Sequence, residues 1–292
     1  MLKAIATIVL AAVLGGAASA AAKSIDPAIT AGDRIASAWT ARQQSDGSFG
    51  DYVKDALGPV GRNTYGEVML GAAMVRWGLI RGRSDWVDVG CRALDWAIAH
   101  PSTRGYADRI FEDFALVDGY RAVAPRLSGV DRGPLLARWR QRLGQVEADT
   151  SDTRPLNQQL LAALTVWEAT GITDPVPTGS GTVFADRAAS REAATARLKD
   201  LIATAGSLQS TTPAGTRSSI VSDPPAWPLA YHALSAAVIA RLRDVGGEAA
   251  FPGVGKLLAA AAAGSALASS PDGQVAYVGR SNNESWTLPM TA

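Results

Sequence analysis

Apolar residues recur at three- and four-residue spacing along most of this chain, and that period leaves packed α-helices as the way to bury them. Alanine is abundant and β-branched runs are short, which points the same way. About ten helices are expected. The first five run over Pro27–Gln43, Thr64–Arg81, Ser84–Ala99, Ala107–Val123 and Pro134–Glu147. The others run over Pro155–Thr170, Ala185–Ala205, Pro225–Val245, Val254–Ser269 and from Asn283 to the end. Pro134 and Pro155 suit a first helical turn, and Gly171 and Gly246-Gly247 suit C-terminal stops. Thr173–Gly181 and Ser207–Ser219 are rich in Pro, Gly, Ser and Thr and read as surface loops.

Two kinds of helix alternate. Pro134–Glu147 and Arg187–Ala205 carry a charged face and suit an outer position. Glu67–Ile80, Gln158–Thr170 and Trp227–Ala240 are apolar around most of their circumference, which requires burial on most sides. Outer and inner helices joined by short turns imply stacked helical hairpins, as a closed ring or an open solenoid. Gln43–Gly50 and Ser270–Tyr277 each place Asp-Gly and then an aromatic residue between an outer and an apolar helix. Asp-Gly is an ordinary turn signal, but its recurrence at one point of a hairpin suggests a repeated unit.

Ahead of the helices stands a leader-like segment. Met1-Leu2-Lys3 is a short basic start, Ala4–Leu14 is apolar, and small residues follow through Ala22. Ala18-Ser19-Ala20 fits the small-x-small cleavage pattern of a secretory signal peptide. A signal peptide over 1–22 is therefore expected, with a single helical domain over 23–292 in a secreted or periplasmic compartment. No membrane contact is expected after cleavage. The formal charge of +1, with no basic stripe, makes nucleic acid a poor partner. Cys91 is the only cysteine, so no internal disulfide can form, and its apolar neighbours suit a small core residue. The two histidines, His100 and His232, are too isolated for a His-rich metal site, and no zinc-ligand spacing occurs. No cofactor is expected, and no metal-ligating residues are assigned.

These features together resemble the α/α-toroid proteins, barrels of helical hairpins that include polysaccharide lyases, six-hairpin glycosidases and cyclase-like rings. The segment Pro271–Ser281, closing on Trp286, is similar to one in secreted bacterial toroid proteins that act on carbohydrates. Asn63-Thr64-Tyr65-Gly66 is loosely similar to an Asn-Asn-His-x-Tyr segment of toroid lyases, without its histidine. Gln43–Gly50 resembles the Gln-x-x-Asp-Gly-Ser-aromatic repeat of cyclase-like rings. The resemblance implies an all-α toroid of stacked helical hairpins. Six hairpins need twelve helices against the roughly ten counted, so the ring is expected to be incomplete at the C-terminus. The implied substrate is a polysaccharide or oligosaccharide.

In such a ring the loops leading into the inner helices line one mouth. Those helices start near Asn63, Tyr106, Asn157, Trp227 and Asn282, where polar and aromatic groups gather. Rings can stack on sugar faces there, and amides or guanidinium can grip hydroxyls and carboxylates. Asn63, Glu67, Asn157, Trp227, Asn282 and Trp286 are the candidate substrate-binding residues. Asn and Asp at helix starts are also ordinary N-caps that need no ligand.

β-Elimination of an acidic polysaccharide is the leading expectation, and such a lyase needs a base, an acid and groups that steady the carboxylate as charge moves onto it. His232 or a tyrosine is the candidate base, and Tyr65, Tyr231 or Tyr277 the candidate acid. Arg280 and Asn63 would neutralise the carboxylate. A buried helix histidine bonded to a carbonyl is the alternative for His232. A glycoside hydrolase would instead use a pair among Glu67, Glu112, Asp113, Asp223 and Glu284. Asp46 and Asp272 sit in turns and read as structural. A non-catalytic helical solenoid that binds glycan or protein at the same mouth is the third possibility.

Overall fold

The computed structural model describes residues 25–49, 52–55, 58–62, 64–101, 106–127, 129–150, 155–207, 210–211, 217–218, 221 and 229–267. The leader 1–22, Asn63, Trp227, Tyr277, Arg280, Asn282, Trp286 and the last expected helix lie outside them. Tyr65 and Tyr231 are placed by their backbone, with side chains outside the described set.

Nine α-helices are present among these residues. They are α1 (Ile25–Thr40), α2 (Thr64–Arg81), α3 (Ser84–Ala99), α4 (Tyr106–Val123), α5 (Gly133–Leu143), α6 (Leu156–Ala169), α7 (Arg187–Ser207), α8 (Leu229–Ala250) and α9 (Val254–Leu267). Two small antiparallel hairpins, β1 (Tyr52–Asp55) with β2 (Gly58–Arg62) and β3 (Ser210–Thr211) with β4 (Arg217–Ser218), were not expected from the sequence. Both lie in Gly/Pro-containing connections too short to show a period. Pro134 falls in the first turn of α5 as anticipated. The expected stop at Gly246-Gly247 is a break inside α8, where Gly247 adopts φ 59°.

Contacts gather in two units. One holds the described residues of Ala17–Ala148 with Glu168–Arg187, the other those of Asp149–Trp167 with Ala188–Ala292. In the first unit α2 is the central helix. Val68, Leu70, Met74, Val75 and Trp77 are all at most 3% exposed, so every face of its middle is covered. That is the burial its all-round apolar sequence requires. Glycine lets α3 approach closely, since a Cβ at Gly90 would stand 2.7 Å from the Gly71 carbonyl oxygen and the Val75 nitrogen.

The helix directions in this unit follow from pairs of contacts. Gly71 faces Leu94 and Gly78 faces Val87, so α2 and α3 are antiparallel. Arg142 meets Asp113 and Trp139 meets Tyr120, so α4 and α5 are antiparallel. Asp88 pairs with Arg132 just before α5 and Asp95 with Arg138, so α3 and α5 run parallel. It follows that α2 and α4, packed side by side, are parallel and begin at the same end. Asp33 of α1 binds Trp77 and Arg81, while Phe49 beyond α1 binds Glu67, which makes α1 antiparallel to α2.

The second unit contains two further antiparallel hairpins. In α6–α7, Gln159 bonds Arg197, and the Arg191 guanidinium donates to the Trp167 carbonyl at 3.2 Å. Ser190, Ala194, Leu198, Leu201 and Ala205 form the buried stripe of α7, and its other faces are exposed, as its charged sequence demands. In α8–α9, the Glu248 carboxylate accepts the Gly253 and Gly255 N–H groups at 2.7 Å each and caps the start of α9.

Candidate functional site

The common end of α2 and α4 carries the densest group of buried charges in the first unit. Arg109, Glu112 and Asp113 are three and four residues apart, so helical spacing sets them on one face of α4. Arg142, near the end of α5, reaches back to that face. Its guanidinium lies 2.7 Å from Asp113 Oδ1 and 3.5 Å from Glu112 Oε2. Glu112, Asp113 and Arg142 are all under 10% exposed. Among the described residues, Asp113 Oδ1 and Arg142 Nη1 are buried without a hydrogen-bond partner. Arg109 carries the cluster to the surface. It sits 3.8 Å from Asp113 Oδ2 and 3.2 Å from Glu147 Oε1, and donates to the Gln145 carbonyl at 2.7 Å.

Burial raises the Asp113 carboxyl to about 6, against the opposing pull of Arg142 and Arg109. A carboxyl in that range exchanges a proton near neutral pH, the property general acid–base work requires. The same contacts also staple α4 to α5, and structural ion networks perturb titration as well.

Glu67 belongs to the same end but has a backbone duty. It is the fourth residue of α2 and 1% exposed, and the Phe49 N–H donates to both of its oxygens at 3.1 and 2.8 Å. This completes the turn built by Gln43–Phe49. The Asp46 carboxylate accepts the Ser48 N–H and hydroxyl, and Gln43 Nε2 donates to the Gly47 and Val89 carbonyls at 2.8 Å each. Phe49 stands edge-on to Trp39 at 5.4 Å. The Gln-x-x-Asp-Gly-Ser-aromatic segment is thus a clasp between the end of α1, the start of α2 and the middle of α3.

The remaining described candidates lie in the second unit. Asn157 is buried in the first turn of α6, where its side-chain oxygen accepts the Gln158 N–H at 2.6 Å. It stands inside the first turn, one residue past the helix start, and the Gln158 N–H it accepts also reaches the Pro155 carbonyl at 2.9 Å. His232 is fully buried on α8. Its Nδ1 accepts the Val221 N–H at 3.0 Å, and Nε2 faces the Ala261 carbonyl at 3.2 Å and the Ser265 hydroxyl at 3.0 Å. Burial holds its pKa below the usual histidine value, with the Ala261 bond opposing. Both ring nitrogens are engaged by protein, so this arrangement has no lone pair to offer a substrate.

Of the expected site residues, Tyr65 and Glu67 on α2 begin at the same end as Arg109, Glu112 and Asp113 on α4. Arg142 and Glu147 complete the cluster and were not singled out from the sequence. A signal for Arg142 existed. It lies three residues after Trp139 and seven after Leu135, on the apolar stripe of α5, and an arginine there demands a buried acidic partner. An open depression of ≈ 580 Å³ lies along α7 beside Arg191, Glu192 and Lys199, and among the described residues α7 alone lines it. Among the described residues no group of three or more His, Cys, Asp or Glu could hold a metal ion, and no helix is long and apolar enough to cross a membrane.

Compared with known proteins, the chain matches no family model, no curated protein and no solved structure.

Proposed function

We propose that this chain is an exported protein of α/α-toroid type that binds and cleaves a polysaccharide or oligosaccharide. The parallel starts of α2 and α4 would form part of its mouth. One observation carries the reading: the two helices begin at a common end, and Asp113, raised to about 6, stands there beside a partly exposed arginine. Asp113 is the proposed proton donor to the leaving sugar oxygen while water adds to the anomeric carbon, and Arg109 the group that orients an acidic or hydroxyl-rich substrate. Residues 1–22 are proposed as the export signal, which would bring the protein to glycans outside the cytoplasm.

β-Elimination on a uronate polymer is the second reading, favoured by the position of Tyr65 as the second residue of α2, at that same end. With both His232 nitrogens engaged, this chemistry falls to a tyrosine as base and acid.

The test is incubation of the full chain with a panel of neutral and uronate polysaccharides. New reducing ends without ultraviolet-absorbing product support hydrolysis, and an unsaturated uronate product supports β-elimination. Asp113→Asn should lower hydrolytic turnover by about 100-fold or more, the usual contribution of a general acid. Retention of polymer without product would leave a binding protein. Neither product nor retention on any polymer rejects the glycan reading.

A further inference from the structure

The β3–β4 hairpin packs on α9 through β4, and a few residues later the chain is fastened again by Val221, which is buried and donates its N–H to His232. His232 in turn holds the Ala261 carbonyl and Ser265 hydroxyl of α9. One imidazole therefore ties three pieces of chain together: its own helix α8, the neighbouring helix α9 and the backbone that follows β4. Only one protonation state can do so. Nδ1 must keep its lone pair to accept from Val221, and Nε2 must carry the proton for Ala261 or Ser265. Adding a second proton would set N–H against N–H at 3.0 Å with no exposure to water, so the charged ring cannot keep the Val221 bond.

We propose that His232 is an acid-sensitive latch whose protonation releases the Val221 backbone from the α8–α9 hairpin. The surroundings leave the ring as the titrating element. Its immediate partners among the described residues are an amide, a carbonyl and a hydroxyl, and none of those residues brings a charged side chain that shifts its pKa. On α8 the nearest charged residue in sequence is Arg241, nine residues on, or about 13 Å along the helix axis. On α9, Lys256 is five residues before Ala261, about 7 Å along the axis. β4 brings Arg217, whose side chain lies outside the described residues.

The direction follows from linkage. The latched ring titrates below the released ring, whose ordinary value is 6.5. The closed form is therefore favoured above that pH and is lost as pH falls through it. Between the two values, one proton taken up on release raises the open population about tenfold per pH unit.

The experiment follows Val221 amide exchange in the full-length protein, corrected for intrinsic exchange, from about pH 8 to about pH 5, the range in which a released histidine titrates. The nitrogen shifts of the His232 ring are followed alongside. The expected result is a loss of Val221 protection of about tenfold per pH unit below the transition, together with ring protonation, while amides in the middle of α9 stay protected. His232→Gln, which can accept and donate without titrating, should make Val221 protection independent of pH. Should that variant fail to fold, the wild-type ring shifts and amide exchange still decide. Val221 protection that stays flat while the ring protonates, or that disappears only when all of α8 and α9 open together, overturns the latch.

Discussion

At the scale of single residues, the polar groups that matter are those the fold has dehydrated. Glu67 looks like a mouth-lining carboxylate in the sequence, yet in three dimensions it lies under Phe49 and accepts that residue's N–H on both oxygens. Removing the acceptor leaves a buried amide unpaired. Glu67→Ala should therefore cost about 1–3 kcal/mol, and Glu67→Gln less, because a neutral acceptor remains. Urea denaturation midpoints at constant m-value would check the order. His232 teaches a related lesson. Its neutral-range chemistry invites a catalytic role, but the sequence cannot show that Val221 and Ala261, eleven and twenty-nine residues away, occupy both nitrogens.

At the scale of elements, the boundaries of α2 and α3 were the most legible, whereas α5 ends four residues before its expected end and α8 runs on past its expected stop. The expected spans for α2 and α3 coincide with the observed Thr64–Arg81 and Ser84–Ala99, because a strong period meets Gly82 between them. How closely those helices pack was not legible, since it depends on which glycines face each other. Gly90→Ala would place a methyl 2.7 Å from the Gly71 oxygen and the Val75 nitrogen. The helix-propensity gain of ~1 kcal/mol opposes an overpacking cost of about 1–3 kcal/mol. The net expectation is a lower melting temperature, with α2–α3 amides losing protection first. The Gln43 clasp works at the same scale. Gln43→Ala removes both 2.8 Å bonds to the Gly47 and Val89 carbonyls and the acceptor used by Arg92. A loss of about 1–2 kcal/mol is expected, read as faster amide exchange around Gly47 and Phe49. Gly47 itself adopts φ +92° with a would-be Cβ 2.9 Å from the Arg92 oxygen, so the Asp-Gly turn tolerates no side chain there.

At the scale of the molecule, the two units should answer pH in opposite directions. Asp113 is raised from 3.8 to about 6, so its contribution to the first unit is present at low pH and is lost as pH rises through about 6. His232 is lowered from 6.5, so its contribution to the second unit is present above that value and is lost as pH falls through it. Hydrogen exchange read separately in α4–α5 and α8–α9 should show these opposed trends, and Asp113→Asn and His232→Gln should each flatten one of them. The sequence alone determined that the chain is helical, where its helices lie and which of them must be buried, because a 3.6-residue period and all-round apolarity are local and additive. It also marked the start of α4 as charged. The tertiary structure decided that α2 and α4 run parallel, that Arg142 closes on Glu112 and Asp113, that Glu67 caps a turn, and that His232 joins three segments. Those facts depend on contacts between residues far apart in the chain. The free energy of a buried charge or imidazole depends on what surrounds it, which residue type and spacing do not encode.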